Sequence, residues 1–193
     1  MNADEPRAAY HHGDLRRALV LNALALLEQG SAGEFSLREV ARLSGVSATA
    51  VYRHFPDKDA LYAALVVEGY ERLADAQQAA AAGLSDRRAA FRASGRAYVH
   101  FALANPALFR LMSSRAHAAA ATADAADGAP VNRAKRLLLD HVAALRPGAS
   151  TAERTVTVVQ AWALVHGLAV LMLGGQVPPD AALIDAVVDD FRP

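Results

Sequence analysis

Residues 35–62 read FSLREVARLSGVSATAVYRHFPDKDALY, and this stretch decides the fold of the chain. Ser36 and Glu39 stand three residues apart, so the hydroxyl and the carboxylate can each accept a hydrogen bond from an orphan backbone amide. Phe35 and Val40 occupy the two positions of a hydrophobic staple. We therefore expect a helix that begins at Ser36.

A second short helix follows that one almost at once. Gly45 stands where a residue in the left-handed conformation can end a helix, and glycine adopts that conformation at low steric cost. Ser47 can cap the next helix. Val51 and Phe55 are four residues apart and would anchor that next helix inward. Two short capped helices joined by a tight turn are typical of a helix-turn-helix.

The second helix would leave Thr49, Ala50, Tyr52 and Arg53 facing outward. Hydroxyl, methyl, phenol and guanidinium groups on one side of a short helix suit the major groove of DNA. One alternative is a set of three ordinary core helices with a glycine turn. Another is a protein-binding helix, although such a helix would more often present an apolar strip.

The segment GVSATAVYRHFPDKDALY resembles the DNA-binding signature of the TetR (tetracycline-repressor) family, over roughly residues 10–65. The resemblance implies a three-helix DNA-binding domain in which Tyr52 and Lys58 touch backbone phosphate. Arg53 is able to pair with guanine O6 and N7 or with phosphate, and His54 either approaches phosphate or is half-buried. The full candidate DNA-binding set is Arg38, Ser47, Ala48, Thr49, Ala50, Tyr52, Arg53, His54 and Lys58.

Composition favours an all-α chain in two parts. Among the 193 residues, 53% are hydrophobic, and Ala and Leu predominate over β-branched runs, which favours helices. We assign residues 1–57 to DNA binding and residues 58–193 to a helical bundle for ligand sensing and dimerisation. The absence of cysteine excludes disulfides and thiolate metal sites and is compatible with a reducing cytoplasm.

The net charge of the chain does not by itself indicate a nucleic-acid-binding protein. The chain has a formal net charge of zero. Residues 1–60 carry seven basic and eight acidic side chains, which gives this segment a net charge of −1. From Arg38 to Lys58, however, four basic side chains face two acidic ones. This balance fits a small phosphate footprint better than general affinity for nucleic acid.

Helical spacing and breakers place the other elements. We expect helix one between a cap at Asp14 and Gly30, enclosed on most sides, and helix four from Asp57 to about Ala81. Further helices should end before Asn105, start at Pro106, and run over 131–145, from Ser150 or Thr151 to Leu173, and from about 179 to 191. Residues 113–130, rich in Ala and Asp, are expected to form no element.

Two later segments, AYVHFALANPALFRLM and WALVHGLAVLMLGG, are similar to the regulatory domain of the TetR branch named for its Trp-His-Gly motif, here Trp162, His166 and Gly167. Trp162 and His166 share one helix face, and a histidine in apolar surroundings is typical of small-ligand sites. The alternative is a packed core. The candidate ligand-binding set is Tyr98, Phe101, Phe109, Met112, Trp162 and His166.

Several classes of function find no support in the sequence. No His or Glu pair has metal-ligand spacing on one helix, and no phosphate loop or nucleophile elbow is present, so we expect no metal, no cofactor and no enzymatic activity. The N-terminus lacks a secretory signal. The most apolar run, residues 161–173, is too short to span a bilayer, so a soluble cytoplasmic protein is expected.

The sequence thus predicts a homodimeric regulator that binds a double-stranded DNA operator and is released by an unknown small molecule. Residues 152–173 and 179–191 are the candidate dimer surface. The rival functions are a helical protein–protein interaction module and, more distantly, a small helical enzyme.

Overall fold

A computed structural model of the protein describes residues 12–29, 35–122 and 132–193, and every regular element in these ranges is a helix. The helices are α1 (His12–Gln29), α2 (Leu37–Leu43), α3 (Ala48–His54), α4 (Lys58–Ala81), α5 (Arg87–Ala104), α6 (Pro106–Thr122), α7 (Asn132–Leu145), α8 (Thr151–Leu173) and α9 (Ala181–Asp190). The all-α prediction is confirmed for these residues.

Two compact units divide the chain between Leu65 and Val66, inside α4. This boundary falls eight residues after the one expected from the sequence, and α4 crosses it without interruption. At ~1.5 Å per residue, its 24 residues make a helix of about 36 Å. The Asp57 carboxylate accepts from the backbone amide of Ala60 at 2.7 Å, so the predicted start at Asp57 is confirmed as a helix cap.

The first unit is built on α1, which buries one face rather than being enclosed. Leu19, Ala23 and Leu27 are fully or almost fully buried, whereas Leu21 is 41% exposed. The predicted cap at Asp14 is wrong, because α1 already begins at His12 and Asp14 lies within its first turn. The predicted stop at Gly30 lies outside the described residues.

The caps predicted for α2 and α3 are confirmed. Ser36 Oγ accepts from the amide of Glu39, and the Glu39 carboxylate accepts from the amide of Ser36 at 2.6 Å. The Ser36 hydroxyl also donates to the Glu39 carboxylate at 2.8 Å, and this bond together with the one from the Ser36 amide holds the pKa of Glu39 below its usual value. Ser47 caps α3 by accepting from the amide of Ala50, and Gly45 adopts the left-handed conformation with φ of 66°.

The second unit is arranged around α5, which packs against α6, α7, α8 and α9. One core cluster joins α5 and α8 to α9 through residues such as Val99, Ala169 and Ile184. A second cluster joins Phe91 of α5 to Val142 of α7 and Val158 of α8. Ser150 and Glu153 form a reciprocal capping box at the start of α8, which confirms the predicted start.

One expectation for this unit is wrong. The segment 113–130 is expected to form no element, but residues 113–122 continue α6 to Thr122, because a run of alanines has the highest helix propensity even without an apolar anchor. Residues 123–130 of that segment lie outside the described residues. The predicted last helix is confirmed and runs from Ala181, behind its cap Asp180, to Asp190.

By length and composition alone, α8 could cross a membrane, contrary to the expectation drawn from its most apolar run. The helix has 23 residues, and a third of its most apolar window is buried inside the protein. A core helix of a soluble protein passes the same test, so a single helix of this kind is weak evidence for a membrane span.

Candidate nucleic-acid interface and regulatory cluster

The candidate recognition helix, α3, is fixed on its inner side and open on its outer side. Val51 is fully buried and Phe55, which follows the helix, is 1% exposed. Thr49 and Arg53 are exposed, and Tyr52 is half exposed at 50%. The outer side therefore offers a hydroxyl, a phenol and a guanidinium to a partner without disturbing the core.

The rest of the predicted DNA-binding set lies on α2, on α3 and its cap, and at the start of α4. Arg38 and the cap Ser47 are exposed, while Ala48, Ala50 and His54 are partly exposed. The partial burial of His54 agrees with one of the two alternatives left open for it. Each of these residues stays a predicted contact, since no nucleic acid is bound.

Lys58, the first residue of α4, rests on two aromatic rings. Its ammonium nitrogen lies 5.1 Å from the ring centre of Tyr62 and 5.8 Å from that of Phe35. The two rings meet edge to face, with centroids 5.3 Å apart. We call this ring pair the aromatic seat. A cation at this distance is attracted to the ring faces, so the seat holds the charge of the partly exposed Lys58 beside the two rings.

Arg16 is a residue that the sequence did not single out. It is exposed on α1, and its guanidinium carbon lies 5.0 Å from the ring centre of Phe55. It therefore places a basic side chain beside Phe55, at the C-terminal end of α3. Only the Arg16-Arg17 pair early in α1 hinted at this, because the contact joins residues that are far apart in sequence.

The second unit brings together four of the six predicted ligand-binding residues. The hydroxyl of Tyr98 and Nδ1 of His166 are 2.9 Å apart. The ring of Phe109 lies edge to face with Tyr98 at 5.8 Å and tilted against His166 at 5.4 Å. Trp162 meets His166 at 6.2 Å. We call Tyr98, Phe109, Trp162 and His166 the aromatic cluster.

Burial sets the ionisation of this cluster. Removal of Tyr98 from water raises the pKa of its phenol to about 12, so the hydroxyl keeps its proton. Partial burial lowers the pKa of His166, which favours the neutral ring. The tautomer of that ring decides whether Nδ1 accepts from the Tyr98 hydroxyl or donates to it.

The remaining two predicted ligand-binding residues lie elsewhere in the unit. Phe101 lines a groove formed with α4 and α9, and the Met112 sulfur lies 2.6 Å from the point where a Cβ on Gly69 would stand. Trp162 itself is 52% exposed. A Cβ at Gly167 would meet nothing within 4 Å among the described residues, so no close approach of another described helix explains that glycine.

Acidification is expected to charge the ring of His166 and quench the single tryptophan, Trp162. Protonated His166 carries a donor on both ring nitrogens, so Nδ1 would then donate to the Tyr98 hydroxyl. Because burial lowers the pKa of His166, its neutral state contributes stability that is fully present above the ordinary value of 6.5 and is lost as pH falls through the lowered pKa. Trp162 fluorescence should fall with a midpoint below 6.5.

The substitution His166→Gln should abolish this fluorescence transition. A wild-type midpoint at or above the ordinary histidine value would contradict the burial of the ring in solution.

Comparison with known proteins matches both units. The family model "Bacterial regulatory proteins, tetR family" matches residues 19–65. The model "Tetracyclin repressor-like, C-terminal domain" matches residues 91–191, which is more than half of the chain.

Among the described residues, no group of three or more His, Cys, Asp or Glu side chains is placed to hold a metal ion.

Solved structures give the same result. A protein with unknown function from Rhodococcus sp. RHA1 is 34% identical, with a TM-score of 0.73, covering 95% of this chain and 94% of its own. A tetR-family transcriptional regulator from Streptomyces coelicolor is 26% identical, with a TM-score of 0.67 and coverages of 91% and 79%. A putative TetR-family regulator from Mesorhizobium loti shares the fold at 16% identity and a TM-score of 0.70, with coverages of 94% and 96%. The chain is a member of the TetR family of transcriptional regulators and carries the DNA-binding domain of that family at its N-terminus.

Proposed function

We propose that the protein is a cytoplasmic, homodimeric repressor that a small molecule releases from a pseudopalindromic operator. The observation that carries this proposal is the recognition helix, whose inner residue Val51 is fully buried while Thr49, Tyr52 and Arg53 remain open. Tyr52 and Lys58, the latter held by the aromatic seat, would contact backbone phosphate. Residues 48–50 would approach base edges.

The dimer is supported by a stripe of exposed apolar side chains on α8. Val156 is 56% exposed and Val159 54%, and Trp162 and Val170 are about half exposed. Ala163 and Gly167 lie between them and present little side chain. A contiguous apolar stripe of this kind is seldom left in water, and a second copy of the same stripe would cover it by two-fold symmetry.

Small-molecule control is supported by the continuity of α4. Lys58 is the first residue of this helix, and the Gly69 position further along is in close contact with Met112 of α6. A ligand in the second unit that shifts α6 would shift α4 with it. The aromatic cluster remains a predicted place for such a ligand. Coupling of this kind typically changes affinity roughly 5- to 150-fold.

Lys58→Ala and Thr49→Ala test the DNA interface by different signatures. Lys58→Ala should weaken binding to all sequences alike and make the slope of log affinity against log salt shallower by about 1, because a phosphate contact is lost. Thr49→Ala should change base preference at one position of each half-site. The preferred site, found by selection from random duplexes, should have half-sites about 34 Å apart or a multiple of that distance.

Asp59→Ala is the matched control for Lys58→Ala, since it alters an exposed charged residue next in the chain. It should leave the salt slope nearly unchanged. A folded wild-type protein that binds no duplex at low salt would overturn the proposal and favour a protein partner.

A further inference from the structure

Two basic side chains of the first unit are held by aromatic rings rather than by carboxylates. Arg16 lies over Phe55, and Lys58 lies on the aromatic seat. Among the described residues, no carboxylate comes within ion-pair distance of either cation. In the second unit, by contrast, Arg96 and Arg133 form ion pairs of 2.6 and 2.7 Å with carboxylates. The charges of Arg16 and Lys58 are therefore open to an acidic partner.

The contact with Phe55 gives the guanidinium of Arg16 a defined place. The guanidinium carbon lies 5.0 Å from the ring centre. The ring itself is fixed, since Phe55 is 1% exposed and its backbone amide donates to the carbonyl of Val51 at 2.9 Å. A cation–π contact is electrostatic and occupies none of the five N–H donors of a guanidinium. Arg16 is exposed, so it is held in place and still able to donate hydrogen bonds outward.

This contact lies next to the candidate recognition helix. Phe55 directly follows α3, whose last turn carries Arg53, and Lys58 begins α4 three residues later. Arg16 thus lies on the ring that opens the turn between α3 and α4, and Lys58 stands where that turn ends. The two cations border one turn although they come from different helices.

A DNA phosphate is the acidic group that this arrangement suits best. Phosphate oxygens lie at the surface of the duplex, and a guanidinium can donate two parallel hydrogen bonds to them. Contacts to phosphate position a protein on the duplex without reading the base sequence. A side chain that is already held on a ring loses less conformational freedom when it binds. The ring contact therefore favours phosphate binding over the same charge on a mobile side chain.

We propose that Arg16 binds a backbone phosphate of the operator and is held for this contact by the buried ring of Phe55. Together with Lys58, it holds the DNA backbone at the turn that follows the recognition helix. The proposal rests on the DNA-binding domain of the TetR family and not on repression, small-molecule release or dimerisation. Loss of the Arg16 contact and loss of DNA binding are therefore distinguishable.

Arg16→Gln tests the contact through the salt dependence of binding to the selected operator duplex. The loss of one phosphate contact should make the slope of log affinity against log salt shallower by about 0.9 per chain. Affinity should fall on the order of tenfold, the worth of a charge-assisted hydrogen bond. Arg17→Gln is the matched control, because Arg17 is also exposed and contacts no aromatic ring among the described residues. It should leave the slope nearly unchanged.

A neutral methylphosphonate, placed at one backbone position of the duplex at a time, identifies the phosphate itself. At the position that Arg16 binds, the wild-type protein should lose on the order of tenfold in affinity, whereas Arg16→Gln should lose nothing more. Arg17→Gln should show the full loss at that position. In solution, the Nε–H signal of Arg16 should shift on titration with the duplex.

Two further variants test how the guanidinium is held. Phe55→Leu keeps an apolar side chain in the core but removes the ring, so Arg16→Gln should cost less affinity in this background than in wild type. Arg16→Lys keeps the charge but not the forked donors, so it should preserve the salt slope and still weaken binding. This second variant leaves the core intact and keeps the test decisive if Phe55→Leu does not fold.

The proposal is overturned if Arg16→Gln and Arg17→Gln change the salt slope equally, or if no methylphosphonate position distinguishes Arg16→Gln from wild type. Full binding by Arg16→Gln beside weakened binding by Lys58→Ala would leave DNA binding in place and show that Arg16 is not a contact. Equal costs of Arg16→Gln in wild type and in folded Phe55→Leu would overturn the role of the ring.

Discussion

Phe55→Ala is expected to unfold the first unit while leaving the second unit folded. Phe55 is 1% exposed, ends α3 and carries the guanidinium of Arg16 over its ring. Removing a buried phenylalanine side chain costs about 3–5 kcal/mol. A unit of some 65 residues has a low free energy of unfolding, and this loss is large by comparison. Operator binding should therefore be lost.

Thermal unfolding followed by two probes measures this effect. Circular dichroism should report an early transition for the first unit, whereas Trp162, the single tryptophan and a residue of the second unit, should melt near the wild-type temperature. Tyr52→Ala is the matched control, since it truncates a half-exposed aromatic residue on the same helix. It should weaken DNA binding with little change in melting. An unshifted melting curve for Phe55→Ala would contradict the packing described for α3.

Val159→Glu is expected to convert the proposed dimer into monomers. Val159 is 54% exposed in the single chain, so glutamate costs the isolated protein little, but two carboxylates would be buried at a two-fold interface. Sedimentation should change from about twice the 20.4 kDa chain mass to that mass itself. Operator affinity should fall on the order of 100-fold or more, because the second half-site is no longer held by the same particle.

Leu84→Glu is the matched control for this substitution. Leu84 is 45% exposed and lies in the connection between α4 and α5, outside the α8 stripe. The same change of side chain there should leave both the mass and the operator affinity near those of wild type. A monomeric wild-type protein at micromolar concentration would remove the basis of the dimer proposal.

The short-range parts of the fold were predictable from sequence because they depend on residues three or four apart. The capping box of Ser36 and Glu39, the left-handed Gly45 and the start of α8 at Ser150 are all local in this sense. Each pairs a specific side chain with a backbone amide or removes a steric penalty, so the spacing alone identifies it.

Other features were not predictable because they arise from contacts between distant residues. The aromatic seat of Lys58 needs Phe35 from before α2 and Tyr62 from within α4. In the aromatic cluster, Tyr98 meets His166 across 68 residues. Periodicity placed Phe101 and Met112 on helix faces, but which neighbour each face meets depends on helix packing. The helix over residues 113–122 departs from the prediction because alanine propensity outweighs low complexity in this segment.

If the exposed stripe on α8 pairs two chains, the behaviour of this protein depends on its own abundance. If pairing covers that stripe, association and folding form one linked equilibrium, and the melting temperature rises with protein concentration. Dilution would then lower thermal stability and operator occupancy together. In a cell with few copies, a modest change in synthesis rate would alter repression more than in proportion, since each active particle consumes two chains.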